Sequence, residues 1–216
     1  IIMLTMLIAT PIGVGAAIYL NEYAKAGKFV SIIEFATEVL SGIPSIIFGL
    51  FGMMFFGETL GLGYSILTGS LTLILMVLPL ITRNTQEALK TVPVGYRNGA
   101  IGLGAGKWYM IRTILIPSAM PGIITGVILA IGRIVGESAA LLFTAGSAKL
   151  LPKGLLGVFD KIFQSGGTLT IQLYLSATSE GDFSSAFGIA VVLLIIVLAI
   201  NMATKALTKK FDVSRT

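Results

Sequence analysis

The sequence predicts an all-α membrane protein, and three observations carry that prediction. Of its 216 residues 55% are hydrophobic and only 12% are charged, whereas a soluble domain carries about twice that share of charge. Mean hydropathy is +0.95. The apolar residues gather into runs long enough to cross a bilayer, and Lys and Arg cluster in alternate connections between those runs. There is no Cys and no His, which excludes the usual zinc and haem ligands, thiol catalysis and a Ser/His/Asp triad. The net charge of +5 does not point to nucleic acid. The bases lie at the ends of apolar runs, where they orient membrane segments.

The first span is Ile1 to Leu20. Twenty helical residues at 1.5 Å each reach about 30 Å, the thickness of the hydrocarbon core. Pro11 can kink it, and Gly13, Gly15 and Ala17 give it a smooth face for close helix packing. Residues 29 to 56 form a long, interrupted segment. Glu34 and Glu38 stand four residues apart on one helical face, then Ser41-Gly42-Ile43-Pro44 breaks the run, and Pro44 suits the first turn of a new helix. Two readings stand here: an amphipathic interfacial helix followed by a membrane segment, or one kinked span. Irregular backbone at membrane depth must be buried in protein or line a cavity. The third span is expected over 64 to 82, the fourth as one continuous helix from about Pro121 to Thr144, and the last over 183 to 203. Within the mixed connection 146 to 182, Leu151, Leu155, Val158, Phe159 and Ile162 recur at helical spacing and predict a helix lying on the membrane surface. The chain opens with Ile inside an apolar run, so a further N-terminal span is expected ahead of it, making five spans here out of six in a single transmembrane domain over 1–216.

The connection from Arg83 to Pro117 is basic and glycine-rich, with five bases against one acid, Glu87. Connections 21–28 and 83–112 together with the tail hold eleven Lys and Arg, and the other two connections hold three. This asymmetry predicts a cytoplasmic basic loop and a cytoplasmic C-terminus. A short helix between Tyr96 and Ile101 with a turn at Gly102 to Gly106 suits either a docking element for a soluble partner or an ordinary connection. The stretch GLGAGKW is not a phosphate-binding loop, because Ile101 stands where the first Gly is required and Trp108 where Ser or Thr is required. Any ATP used is therefore expected on another subunit.

Arg133 is the one base inside a predicted span. With a helix starting near Pro121 it falls about 18 Å along, near mid-membrane, where even lenient insertion scales charge about 2.5–3.5 kcal/mol. Glu137, one turn on, is placed to pair with it. The Arg fork suits an oxyanion such as phosphate or sulfate. A structural ion pair between helices is the alternative, and the default for intramembrane ionisable groups favours a pathway. Gly122/Gly126 and Gly132/Gly136 form two GxxxG patterns, fitting close contact with a second membrane subunit or within this chain.

Three stretches resemble the permease subunits of bacterial ABC importers, and within them the A-type permeases of phosphate transport systems. They are SGIPSIIFGLFG at 41–52, GRIVGESAALLFTAG at 132–146, and a coupling loop whose pattern falls on Asn98-Gly99-Ala100, Gly104 and Ile114-Leu115-Ile116-Pro117. Asn98 and Gly99 depart from the Glu-Ala of that pattern, and Ile116 replaces Leu. The resemblance implies a type I importer helix bundle in a bacterial or archaeal inner membrane, forming half of a phosphate pathway. Arg133, Glu137 and Ser138 would line that path, and Asn98, Gly99, Ala100, Gly104, Ile114 and Pro117 would couple it to a cytoplasmic ATPase dimer. The other implied partners are a homologous C-type permease and an extracytoplasmic phosphate-binding protein. ATP and Mg would bind the ATPase, leaving this chain without a cofactor, metal or catalytic site of its own. The other readings are an importer of another oxyanion (sulfate or molybdate), an ATP-independent anion channel, or an intramembrane enzyme.

Overall fold

The structure is a computed structural model that describes residues 1–25, 27–148 and 160–211, with the side chains of 207–211 left aside. The described residues contain helices and connections and no strand. In chain order these are α1 (Ile2–Tyr23), α2 (Lys28–Gly42), α3 (Ser45–Thr59), α4 (Ile66–Thr91), α5 (Val94–Gly102), α6 (Lys107–Val135), α7 (Ala139–Thr144), α8 (Leu169–Thr178) and α9 (Phe183–Phe211). Four of them, α1, α4, α6 and α9, are long and apolar enough to cross a membrane, and the pair α2–α3 makes a fifth candidate, bent by 102°. A bend of that size fits a broken span or a re-entrant loop, so both sequence readings of this segment stand, with the break where they place it. Pro44 stands at the elbow with extended ψ, and α3 starts at Ser45, as a proline without an N–H and with fixed φ dictates.

Helix α4 is the axis of the bundle, with α1 packed on one side and α6 on the other. The α1 contact is a stripe of Thr5, Ala9, Gly13 and Ala17, all buried at a spacing of four. A Cβ on Gly13 would lie 2.8 Å from Ile81 Cγ2, so only glycine permits this approach; Gly15, by contrast, faces open space. The α6 contact uses the first GxxxG pair in the same way. A Cβ on Gly126 would lie 2.6 Å from Asn84 Cβ, and one on Gly122 2.5 Å from Ala88 Cβ. That pair therefore packs within this chain, while Gly132 has no neighbour within 4 Å of its side-chain position.

Helices α3 and α7 cross closely, Gly49 lying against the backbone of Ala139 and Ala140. Helix α9 packs on α6 and α8. Two sequence expectations need correction. The third span runs on as helix to Thr91, so Arg83 to Lys90 belong to α4 and the connection itself is short. The fourth span is not continuous: α6 begins at Lys107, stops at Val135, and α7 begins at Ala139. Gly136 is a poor helix former, and the Glu137 carboxylate, rather than the Ser138 hydroxyl at the cap position, accepts a first-turn N–H of the new helix. Helix α8 was not foreseen. Thr168 caps it, its hydroxyl accepting from Ile171 N–H at 3.3 Å. The surface helix expected from Leu151 to Ile162 lies largely outside the described residues.

Candidate functional site

Two places gather the residues singled out by sequence. One is the end of the bundle where α1, α4, α5 and α6 meet. Helix α4 stops at Thr91 because Pro93 cannot continue it, and Pro93 then opens α5. Ala100 is buried in an apolar cluster with Leu89, Val92, Met110, Ile111 and Leu115, and Ile114 packs against the same cluster. Asn98 and Gly99 face outward, as does Pro117 on α6. Gly104 has φ +77°, the left-handed region that glycine adopts freely, and nothing lies near its side-chain position. The turn reverses the chain and leaves Leu103 91% exposed, with Val94, Tyr96 and Ile101 also exposed on α5. The result is a short helix held by one face and presenting apolar side chains on the other.

Arg97 pins this helix down. Its Nη1 donates to Val92 O at 2.9 Å, and its Nη2 donates to Leu89 O at 3.0 Å and to Glu22 Oε1 at 2.9 Å. Leu89 O lies in the last turn of α4, where it also accepts from Val92 N–H at 3.4 Å, and Val92 is the residue that ends the helix, so Arg97 closes the carbonyl end of α4. Asn21 Nδ2 also donates to Glu22 Oε1, at 2.7 Å. Lys107 Nζ sits 4.9 Å from the centre of the Tyr23 ring.

The other place is the break between α6 and α7. Glu137 is buried, and its Oε1 accepts from Ala140 N–H at 3.1 Å. Its carbonyl accepts from Thr170 Oγ1 at 2.8 Å. These bonds satisfy backbone groups that the interruption would otherwise strand in an apolar setting. Ser138 lines a cavity of about 210 Å³ with Ile46 of α3, Leu142, Phe143, Ile171 and Tyr174. Arg133 lies in the last turn of α6 and is exposed. The expected Arg133–Glu137 pair is not made: among the described residues the ion pairs are Arg83–Glu38 and Arg97–Glu22. Because α6 starts at Lys107, Arg133 stands about 39 Å along it at 1.5 Å per residue, at its far end rather than its middle. Glu34 and Glu38 do share one face, as their spacing requires. They line a polar cleft of about 480 Å³ with Arg83, Gln86, Glu87 and Lys90 of α4. The Arg83–Glu38 contact there is 3.9 Å and exposed, a geometry worth little.

A multi-pass helical bundle, with a short helix projecting between two of its spans, is the class of protein this fold and site define. The chain belongs to the family of binding-protein-dependent transport system inner membrane components, whose profile matches residues 9–214. It is 40% identical over 215 residues to the probable ABC transporter permease protein YqgI of Bacillus subtilis, covering 95% of this chain and 73% of that protein. It is 36% identical over 198 residues to the phosphate transport system permease protein PstA of Mycobacterium leprae, covering 91% of this chain and 63% of the relative. The PstA of Xylella fastidiosa (strain Temecula1) is 34% identical over 216 residues, 99% of this chain and 73% of that one. Among solved structures, an inward-facing MetNI methionine ABC transporter superposes with a TM-score of 0.73 at 20% identity, covering 97% of this chain and 88% of that chain. The chain is thus a multi-pass ABC importer permease of the type I fold, a transport subunit that resembles PstA.

Proposed function

We propose that this permease forms half of an ATP-driven import pathway for inorganic phosphate. The observation that carries the substrate is the similarity along nearly the whole chain to proteins named PstA. In this reading residues 1–216 act as one transmembrane domain, a homologous C-type permease supplies the other half of the path, and an extracytoplasmic phosphate-binding protein delivers the anion. A cytoplasmic ATPase dimer, carrying ATP and Mg, docks on the exposed apolar face of α5, and Asn98, Gly99, Ala100, Gly104, Ile114 and Pro117 shape that coupling element. The charge asymmetry supports a cytoplasmic α5 and C-terminus.

Arg133, Glu137 and Ser138 contribute to the path at the α6–α7 break. Arg133, having no carboxylate partner among the described residues, leaves its fork open to an anion. Glu137 shapes the break through its bonds to Ala140 and from Thr170. The test is uptake of radiolabelled phosphate, sulfate and molybdate by the complete complex. Phosphate uptake that needs ATP and resists excess sulfate is expected. Sulfate or molybdate uptake without phosphate uptake would assign another oxyanion, and flux without ATP would make the chain a channel.

A further inference from the structure

The coupling helix has few attachments. Of the residues in α5 only Ala100 is buried, in a cluster with the end of α4 and the start of α6, so the helix is held along one narrow face. Arg97 is the polar exception, and its three bonds are shared between two different spans. Leu89 and Val92 belong to the end of α4, and Glu22 to the last turn of α1, 75 residues away in sequence. The pair is sheltered, with side-chain exposures of 20% for Arg97 and 6% for Glu22. Asn21 Nδ2 donates to the same Glu22 Oε1 that Arg97 reaches, so the accepting oxygen is held by two donors at once. A planar fork is the side chain that can reach a carboxylate and two carbonyls at once; an ammonium group cannot reproduce that geometry.

We propose that Arg97 is a positioning residue, and that the Arg97–Glu22 contact is the joint through which movement of α5 reaches α1 and α4. This rests on the importer reading given above. A helix fixed only by Ala100 would shift on its own when a partner pushes it, and the glycines at 99, 102, 104 and 106 would absorb the displacement. With Arg97 bonded to both spans, α5 cannot move without carrying the ends of α1 and α4. Interfaces that switch between discrete arrangements need such rigid links to pass a displacement on.

The test uses the assembled complex and the absence of Cys from this chain. Arg97→Met should assemble with its partners but import at least about tenfold less phosphate per ATP hydrolysed, and Arg97→Lys should not restore the ratio. In Glu22→Cys/Arg97→Cys the ratio should fall likewise and recover when a short thiol–thiol cross-linker joins the two positions. A loss of fold alone would not be repaired by a tether. Spin labels at Lys25→Cys and Gly95→Cys, both exposed and the second with nothing within 4 Å of its side-chain position, give a reading independent of substrate. Their separation should stay constant between nucleotide-free and vanadate-trapped complex when Arg97 is present, and change between the two states in Arg97→Met. Normal coupling in Arg97→Met, no recovery on cross-linking, or the same label separations with and without Arg97 would each overturn the joint. If the unaltered complex imports no phosphate, the substrate assignment fails, and the spin-label distances still decide the joint.

Discussion

Helices α4 and α9 are both apolar enough to span a membrane, yet 61% of the most apolar stretch of α4 is buried inside the bundle against 6% for α9. The buried one is the less apolar. Helix α4 carries Thr68, Ser70, Thr72, Thr82, Thr85 and Gln86 in its buried face, whereas from Ala186 to Ile200 α9 has no polar side chain at all. In water the order would be reversed. In lipid an exposed Leu costs nothing, so burial is decided by which side chains need partners and which are small enough for close approach. The four-residue stripe of α1 and the Gly122/Gly126 pair of α6 supply the small residues that let both neighbours close on α4.

The contrast should break first at those close approaches. Gly126→Leu would drive a side chain into Asn84 and is expected to destabilise the chain by about 1–3 kcal/mol or more, as overpacking does. Gly188→Leu on α9, where nothing lies within 4 Å, should leave the thermal midpoint in detergent unchanged. Equal shifts for both would remove the distinction between the two spans.

A smaller effect is expected at the α6–α7 break. Glu137→Ala loses the acceptor for Ala140 N–H, and caps of this kind are worth about 0.5–2 kcal/mol. Arg133→Met, at an exposed position, should change stability by no more than about 0.5 kcal/mol.

The finest test lies within α4. Thr72 Oγ1 donates to Thr68 O at 2.8 Å, while the hydroxyls of Ser70, Thr82 and Thr85 are buried with no partner among the described residues. Thr72→Val should cost about 1 kcal/mol, and Thr82→Val or Thr85→Val should be neutral or stabilising, because each replaces an unmet hydroxyl by a methyl group. A penalty for Thr82→Val as large as that for Thr72→Val would show that its hydroxyl has a partner in the assembled complex.

The starts of the two helices differ as well. Ser65 caps α4 from a fully buried position. Asp182 precedes α9 in the open, its carboxylate accepting from Ser185 Oγ at 2.5 Å and Ser185 N–H at 3.0 Å. The Ser185 hydroxyl, then its N–H, hold the Asp182 carboxyl below its usual value. A lowered folded value means that the stabilisation is present above the unfolded value and lost as pH falls through the folded one. Below the ordinary carboxylate range, the protection of the first-turn amides of α9, taken relative to their intrinsic exchange rate at each pH, should therefore fall, and Asp182→Asn should abolish that loss of protection with pH.

The spans were legible because apolar run length is a direct physical requirement of the bilayer, and α5 was legible from the glycine turn at 102–106, while its start at Pro93 came only from the structure. The break after Val135 was hidden because it spends only Gly136, Glu137 and Ser138 inside a long apolar run. The available signal was the polar Gly136-Glu137-Ser138 interruption itself, whose Glu137 stands three residues before the Ala140 N–H that it accepts from. Helix α8 was masked by its short length, although Thr168 ahead of Leu169 and Ile171 marked its start. The absence of the Arg133–Glu137 pair follows from the same break, since the one-turn spacing argument assumes helix through both residues. No local pattern could announce Glu22 and Arg97 as partners. Each reads alone as a loop charge, and only the meeting of the α1 and α4 ends brings them together.

Phosphate uptake by the complex carrying Arg133→Met, normalised to assembled permease, tests the central claim most directly. If this chain forms the phosphate path and Arg133 meets the anion, uptake should fall at least about tenfold while assembly and the thermal midpoint stay unchanged, and Arg133→Lys should remain well below the parent because it keeps the charge but loses the fork. Near-normal phosphate uptake in Arg133→Met would contradict the account and take Arg133 out of the path.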